Sequence, residues 1–288
     1  MGLFSEDESR FEEILEGDFP MTRLRLNEHH AEAVVLGGAV LGGGGGGSIR
    51  DGMERANLAV RLGSPVLVSL DELKDKDLVL TASVVGAPAA AEKFLRPVDH
   101  IRAATLLLEK RPLKLAGLIA NENGASSGVN GWLQAAMMNV PVVDAPANGR
   151  AHPTGLMGAM GLQRIQGYTS IQAAAGGNPE TGRYVEIVAE GAIQSMAHLI
   201  RFASVQAGGT VAVARDPVTA KYLKGHAAPG GTTQAIKVGF RKNLIYVRGS
   251  DIPRRFLCVR LVVFLRFHSD FTLRETPCRP TAIQLCGS

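Results

Sequence analysis

The first 239 residues contain no cysteine, because Cys258, Cys278 and Cys286 all fall in residues 240–288. A disulfide framework, a thiolate zinc site and a cysteine nucleophile are therefore excluded from that part of the chain. No apolar run approaches the ~18 residues that a membrane span needs. The acidic start of the chain also lacks the basic flank of a signal peptide. These absences predict a cytoplasmic protein with no membrane partner.

The basic character of the sequence is confined to its last part. The formal net charge is +4, but residues 240–288 hold nine basic and three acidic side chains, which leaves residues 1–239 slightly acidic. A high isoelectric point ordinarily indicates nucleic acid or an anionic surface as a partner. Here it predicts nucleic-acid binding only if residues 240–288 are a genuine basic arm.

Short apolar segments alternate with amphipathic ones along the chain. Helices are predicted at residues 6–16, 27–37, 49–62, 98–108, 131–138, 191–207 and 216–223, the last with Asp216 as N-cap and Pro217 at its first position. Strands are predicted at residues 65–69, 77–85, 113–120, 140–144, 170–174, 184–188 and 210–214. This alternation predicts an α/β fold with a mostly parallel sheet and helices on both faces. Residues 145–155 are compatible with either a subdomain switch or a linker.

The glycine run at residues 42–47 is the most conspicuous motif. It opens into a predicted helix at Ser48, and Asp51 completes the spacing of a capping box. Such a loop offers free N–H groups and a positive dipole end to an anion or carboxylate. We therefore predict that the run binds substrate through Gly43, Gly44, Gly45 and Gly46. A nucleotide loop is disfavoured because no clear strand precedes the run. A flexible or closely packed turn is the alternative.

Two polar clusters follow predicted strands. Glu92 and Lys93 come after the strand that ends near Gly86, and residues 121–124 (Asn-Glu-Asn-Gly) end the next strand, with Asn130 close behind. Ligands bind beyond the carboxyl ends of parallel strands, so these side chains are candidates for substrate binding, Asn123 and Asn130 included. A solvated helix face explains the first cluster equally well, and ordinary Asn-Gly turn chemistry explains the second.

A third cluster begins at Asp144, again at the end of a predicted strand. Arg150 and His152 follow within nine residues. Together these side chains could supply a base, an anion clamp and a proton shuttle. A structural Asp–Arg pair in a loop is the alternative.

Several of these motifs occur in the order in which one known family has them. They are Leu41 with the glycine run, Gly63-Ser-Pro-Val with Ser69-Leu-Asp-Glu-Leu, Gly86-Ala-Pro with Glu92-Lys93, Glu122-Asn-Gly with Asn130, and Pro141-Val-Val-Asp-Ala with Gly149-Arg-Ala-His-Pro. On these residues the chain resembles the S-methyl-thiohydantoin desulfurase-like family, often found beside hydantoinase/oxoprolinase-type proteins, over residues 28–239. The resemblance implies an α/β domain followed in the family by a second, β-rich domain.

The resemblance also implies an activity: removal of the methylthio group from an S-methyl-thiohydantoin ring, which yields a hydantoin and methanethiol. In that reaction Glu122 or Asp144 would be the base that activates water, with His152 as a further catalytic candidate. Arg150 would orient the polar edge of the ring, and the glycine amides would bind it. The rival interpretation is a non-catalytic protein that binds a small ligand or forms an oligomeric assembly.

The chain departs from the family pattern at three positions where the family has acids. Pro146 stands in the Asp-Ala-Asp motif, Thr154 follows the Arg-Ala-His-Pro motif, and Ser48 follows the glycines. If those acids hold a divalent metal in the family, the ligand set here is incomplete and the activity would be impaired.

The resemblance stops at Gly239. We divide the chain into an N-terminal extension (1–27), the α/β domain (28–239) and an atypical basic segment (240–288). A change of reading frame near Phe240 explains the abrupt change in composition, and a genuine basic arm is the alternative. A frame change would leave the chain without the β-rich domain and would expose the apolar residues 261–265, with a risk of aggregation. A homo-oligomer is compatible with either reading.

Overall fold

The computed structural model describes residues 23–87, 90–152, 154–156 and 158–247, with the side chains of 242–247 excepted. The strands are β1 (Arg23–Arg25), β2 (Val66–Val68), β3 (Leu78–Gly86), β4 (Leu115–Ala120), β5 (Val142–Val143), β6 (Ser170–Gly176), β7 (Val185–Gly191) and β8 (Thr210–Thr219). The helices are α1 (Glu28–Leu41), α2 (Ile49–Gly63), α3 (Pro97–Lys110), α4 (Trp132–Met138), α5 (Ile193–Gln206), α6 (Ala220–His226) and α7 (Gly231–Val247). The helix predicted at residues 6–16 and the tail features beyond residue 247 lie outside the described residues.

All eight strands join one sheet in the order β1-β2-β5-β4-β3-β8-β6-β7. The four strands β2, β5, β4 and β3 run parallel. The edge strand β1 and the strands β8, β6 and β7 pair antiparallel with their neighbours. The predicted α/β class is confirmed, and the parallel pairing lies in the half of the sheet whose strands alternate with helices.

Helices cover both faces of the sheet. Successive residues of one strand point to opposite faces, and β3 shows this directly. Leu80 joins the apolar cluster under α1, α2, α3, α4 and α7, with Trp132 at its centre. Val79 joins a second cluster with Ile119 and Leu223, on the side of α5 and α6. The strands before and after residues 145–155 belong to this one sheet.

Helix α1 continues four residues past the predicted end at residue 37. Gly37 lies in its interior because α7 packs backbone to backbone against it. A Cβ on Gly37 would collide with the carbonyl of Ala235, and a Cβ on Gly239 would collide with that of Ala33. Here glycine permits close helix approach, so it does not end the helix.

The prediction of a helix beginning at Asp216 was wrong. Strand β8 continues to Thr219, and its last residue pairs with Leu78 of β3. Asp216 lies in that strand beside a register irregularity and has a positive φ of 50°. The helix begins one turn later, where the side chain of Thr219 accepts a hydrogen bond from Tyr222 N. Pairing with a distant strand therefore overrides the local Asp-Pro signal.

No described helix combines the length and the apolar character that a membrane crossing requires.

Candidate functional site

The glycine run forms the turn between α1 and α2. Ser48 caps α2 as predicted, since its Oγ accepts a hydrogen bond from Asp51 N at 3.0 Å. The second hydrogen bond of a capping box, from the backbone N–H of Ser48 to the Asp51 side chain, is not formed. The carboxylate of Asp51 accepts a hydrogen bond from Lys93 Nζ at 3.3 Å instead. Gly46 and Gly47 line a cavity. Gly43 and Gly44 have open space where a side chain would stand, and Gly45 packs beside Ala151.

The cavity has a volume of about 750 Å³ and opens at the carboxyl ends of β3 and β4. Helices α2 and α3 and the first half of β8 complete its walls. Five of the predicted site residues line it: Gly46, Lys93, Glu122, Asn130 and His152. This is the position at which ligands bind in open α/β sheets, outside the ends of parallel strands.

Glu122 follows β4 directly and meets His152 inside the cavity. Glu122 Oε2 accepts a hydrogen bond from the backbone N of His152 at 3.1 Å. The ring Nε2 of His152 lies 3.1 Å from the same oxygen, and the two side chains are 4% and 8% exposed for His152 and Glu122. Neither ring nitrogen of His152 forms a hydrogen bond with the described residues. A carboxylate and an imidazole thus face the cavity as a buried, adjacent pair.

Gly158 lets the imidazole of His152 occupy this place. A Cβ on Gly158 would overlap the ring of His152 at Nε2 and Cε1. The close approach of backbone to ring fixes where the imidazole stands relative to Glu122.

Polar side chains linked by hydrogen bonds lie in a row across the bottom of the cavity. Arg55 of α2 donates to Asn130 Oδ1 at 2.6 Å and to the carbonyl of Ser126 at 3.4 Å. Asn130 in turn donates to Asn121 Oδ1 at 2.8 Å. Burial lowers the pKa of Arg55 to about 10, so its guanidinium is charged at neutral pH. The network holds amide groups in fixed orientations beside Glu122.

Arg215 brings a second guanidinium to the cavity from β8. It is 6% exposed and lies across from Thr81 and Gln172 on the neighbouring strands. Burial lowers the pKa of Arg215, and the nearby charges of Asp216 and Glu122 act in the opposite direction. The arginine therefore places positive charge next to the Glu122–His152 pair.

His100 of α3 also lines the cavity and is 3% exposed. Its pKa lies well below the ordinary value, first because of burial and second because of the Arg55 charge. The imidazole of His100 is therefore neutral at physiological pH.

Asp144 lies outside the residues that line the cavity and binds the start of α7. Its carboxylate accepts hydrogen bonds from Thr232 N at 2.7 Å, from Thr233 N at 3.3 Å and from the hydroxyl of Thr233. Burial raises the pKa of Asp144, and these hydrogen bonds oppose the rise. The geometry gives Asp144 the role of a helix cap.

Three more of the predicted site residues lie away from the cavity. Asn123 donates to the carbonyls of Gly149 and Gly231 and so ties loops together. Glu92 forms an ion pair with Arg183 at 2.9 Å. Arg150 lines a shallower pocket beside His226.

No cluster of three or more His, Cys, Asp or Glu side chains that could hold a metal ion occurs in the part of the chain that the structure describes.

Sequence reasoning missed Arg55, His100 and Arg215. Arg55 is one of three arginines of α2 with Arg50 and Arg61, and its residue type alone does not mark it as the one that reaches a cavity. Arg215 falls between the predicted strand at residues 210–214 and the predicted helix at residues 216–223. A strand prediction extended past residue 214 would have included Arg215 in the sheet.

A family model described as "S-Me-THD-like, N-terminal domain" matches residues 29–183. No curated protein matches the sequence. Among solved structures, the chain is similar to a protein from Chromobacterium violaceum, with 25% identity and a TM-score of 0.62. The similarity covers 82% of this chain and 66% of that protein, so the chain spans about two thirds of the length of its structural relative.

Proposed function

The chain belongs to the S-Me-THD-like family, and from that membership we propose that it hydrolyses the methylthio group of an S-methyl-thiohydantoin or of a closely related small heterocyclic amide. The observation that carries the proposal is the buried pair of Glu122 and His152 in a cavity at the strand ends. A carboxylate beside an imidazole is an arrangement for moving protons to and from a reacting water. The substrate class of the proposal is taken from the name of the family.

The reaction needs water to attack the ring carbon that carries sulfur. That carbon is bonded to the SCH₃ group and doubly bonded to a ring nitrogen. As the new C–O bond forms, Glu122 accepts a proton from water and the C=N electron pair moves to the ring nitrogen. When the C–S bond breaks, a C=O bond forms in its place, the remaining hydroxyl proton moves to the ring nitrogen, and the proton taken up by Glu122 goes to the departing thiolate. One water and one substrate thus give one hydantoin and one methanethiol.

In this proposal His152 carries the proton between these steps. Its Nε2 lies 3.1 Å from the Glu122 oxygen that takes the proton. An imidazole can receive a proton at one point of the reaction and release it at another. The departing sulfur is the acceptor in this scheme.

Asn121, Asn130 and Arg215 orient and stabilise the ring. The two amides are fixed by the hydrogen-bond chain from Arg55 and offer donors and acceptors to the polar edge of a cyclic amide. Negative charge that develops on the ring nitrogen during attack is stabilised by the guanidinium of Arg215. Preorganised charge of this kind acts strongly in a site shielded from water.

An assay of methanethiol release from S-methyl-thiohydantoin by the whole chain tests the proposal. We expect catalytic release with equimolar hydantoin formation. A well-folded protein that binds the compound without turnover, with and without added divalent metal, would refute hydrolysis and support the rival interpretation of a ligand-binding protein.

A further inference from the structure

One corner of the cavity has donors to which the proposed reaction assigns no atom of the substrate. It is formed by Arg55, Ser127, Gly46 and Gly47, and we call it the Arg55 corner. We propose that the Arg55 corner binds a carboxylate carried by the substrate. The inference rests on the proposed function, because it assumes that the same substrate binds in the same cavity.

The guanidinium of Arg55 bonds only neutral acceptors. Its two hydrogen bonds go to the side chain of Asn130 and the carbonyl of Ser126. The nearby acid on the same helix, Asp51, bonds Lys93 instead. No carboxylate within the described ranges bonds Arg55. The charge of Asp51 acts on Arg55 without a hydrogen bond between them. A largely buried cation without a hydrogen-bonded anion is costly, and a bound carboxylate supplies that anion through charge-assisted hydrogen bonds.

Ser127 provides an independent sign of a ligand. It lines the cavity, is 8% exposed, and its Oγ has no hydrogen-bond partner within the described part of the chain. A Cβ on Gly46 would lie 2.5 Å from this Oγ, so the hydroxyl stands directly against the glycine run. A buried hydroxyl without a partner is uncommon in native proteins, and a carboxylate oxygen is an acceptor for it.

The backbone adds further donors at the same place. The amides of Gly46 and Gly47 make no hydrogen bond to any described residue, although the carbonyl of Gly46 accepts from Ser126 N and Ser127 N at 2.8 Å each. They precede the N-terminus of α2, whose dipole favours negative charge. A guanidinium, a hydroxyl and amides therefore line one corner.

The local charge favours a carboxylate over a phosphate. Asp51 and Glu54 also line the cavity from α2 and would repel a dianion. Arg55 is the single guanidinium of the corner. A substrate that meets these limits is a thiohydantoin whose ring side chain is that of an acidic amino acid.

The test compares two S-methyl-thiohydantoins that differ in one group. One carries a carboxymethyl side chain on the ring, and the other carries the corresponding carboxamide, which is nearly isosteric but neutral. We expect wild type to prefer the acid by roughly 10- to 100-fold in kcat/KM, the range of a hydrogen-bonded charge. The variant Arg55→Gln should bring this ratio close to one, and Ser127→Ala should lower it by several-fold. Arg61→Gln is the matched control, because Arg61 lies on the same helix, is exposed and pairs with Glu28.

A binding measurement separates the inference from the proposed function. Calorimetry with the acid and carboxamide hydantoins, which are the products, needs no turnover. If no thiohydantoin is hydrolysed but the acid hydantoin binds more tightly and depends on Arg55, the proposed function fails and the carboxylate site stands. If both thiohydantoins are hydrolysed with equal kcat/KM, the carboxylate site is overturned and the function stands. Tighter binding of inorganic phosphate than of acetate at Arg55 would also overturn it.

Discussion

His152 approaches one oxygen of Glu122 twice, once with its backbone N–H and once with its ring Nε2, each at 3.1 Å. The backbone contact fixes the carboxylate, and the ring contact keeps the imidazole adjacent to it. Because Glu122 follows β4 and His152 lies 30 residues later in a loop, the pair exists only in the folded chain. The relation between these two side chains is the basis of the first two predictions.

Replacement of Glu122 by glutamine should abolish most of the turnover. The amide keeps the size of the side chain and can accept the His152 N–H, but it cannot accept a proton from water. General-base catalysis contributes about 10²- to 10⁴-fold, so we expect kcat to fall in that range with little change in KM. Methanethiol release measured at saturating substrate gives the value.

Glu109→Gln is the control for that experiment. Glu109 is an exposed acid on α3 that pairs with Arg102. We expect its turnover to match wild type. Wild-type turnover in Glu122→Gln would eliminate Glu122 as the base.

Replacement of Gly158 by alanine should reduce activity without touching a reacting group. The new methyl group would overlap the imidazole of His152, so the ring must leave its place beside Glu122. A 1 Å displacement in a site of this kind costs about 10²-fold, and we expect a loss of kcat of that order. Gly149→Ala is the matched control, since its Cβ would make an ordinary contact at 3.7 Å with Ala228. Equal activity of the two variants would show that the position of the imidazole is unimportant.

Replacement of Asp144 by alanine should weaken the fold and leave the chemistry of the folded molecules intact. The variant loses the acceptor for Thr232 N, Thr233 N and the Thr233 hydroxyl at the start of α7. Loss of such a cap costs about 1–2 kcal/mol, which should appear as a lower free energy of unfolding in urea. Thr233→Val removes one partner and should show a smaller loss. A decrease of kcat beyond about 10²-fold in folded Asp144→Ala would instead assign catalysis to Asp144.

The fold was predictable where the relevant information is local. All seven predicted strands and the helices around residues 49–62 and 98–108 carry clear apolar patterns, and the structure has elements at those places. The edge strand β1 is only three residues long, too short to show a pattern. The last five residues of β8 depend on pairing with β3, which no local signal near Asp216 contains.

The candidate site was predictable only along strand ends. Glu122 and His152 could be named because each stands in a polar cluster after a strand or loop. Arg55 comes from a helix and reaches Asn130, 75 residues further along the chain. Asp144 has the same sequence context as Glu122, yet the helix that begins at Gly231 occupies its carboxylate. Which polar side chain faces the cavity is decided by long-range packing.

Replacement of His100 by glutamine should flatten the dependence of stability on pH. Burial, and then the charge of Arg55, hold the pKa of His100 well below its ordinary value of 6.5, whereas in the unfolded chain the imidazole titrates near that value. Below about pH 6.5 the unfolded state therefore binds one more proton at this position than the folded state does. The free energy of unfolding of the wild type falls as the pH falls, by up to about 1.4 kcal/mol per pH unit from this residue.

Urea unfolding at several values between about pH 7 and pH 5 measures that slope. His100→Gln should lose less stability than wild type over the interval, although His30, whose pKa burial also lowers, leaves both proteins with some slope. His198→Gln, which removes a histidine from the exposed surface of α5, should keep the wild-type slope. An unchanged slope in His100→Gln would mean that the imidazole of His100 reaches water in the folded protein. It would then be available to the substrate as a charged group, and it would add to the positive charge that the cavity already has from Arg55 and Arg215.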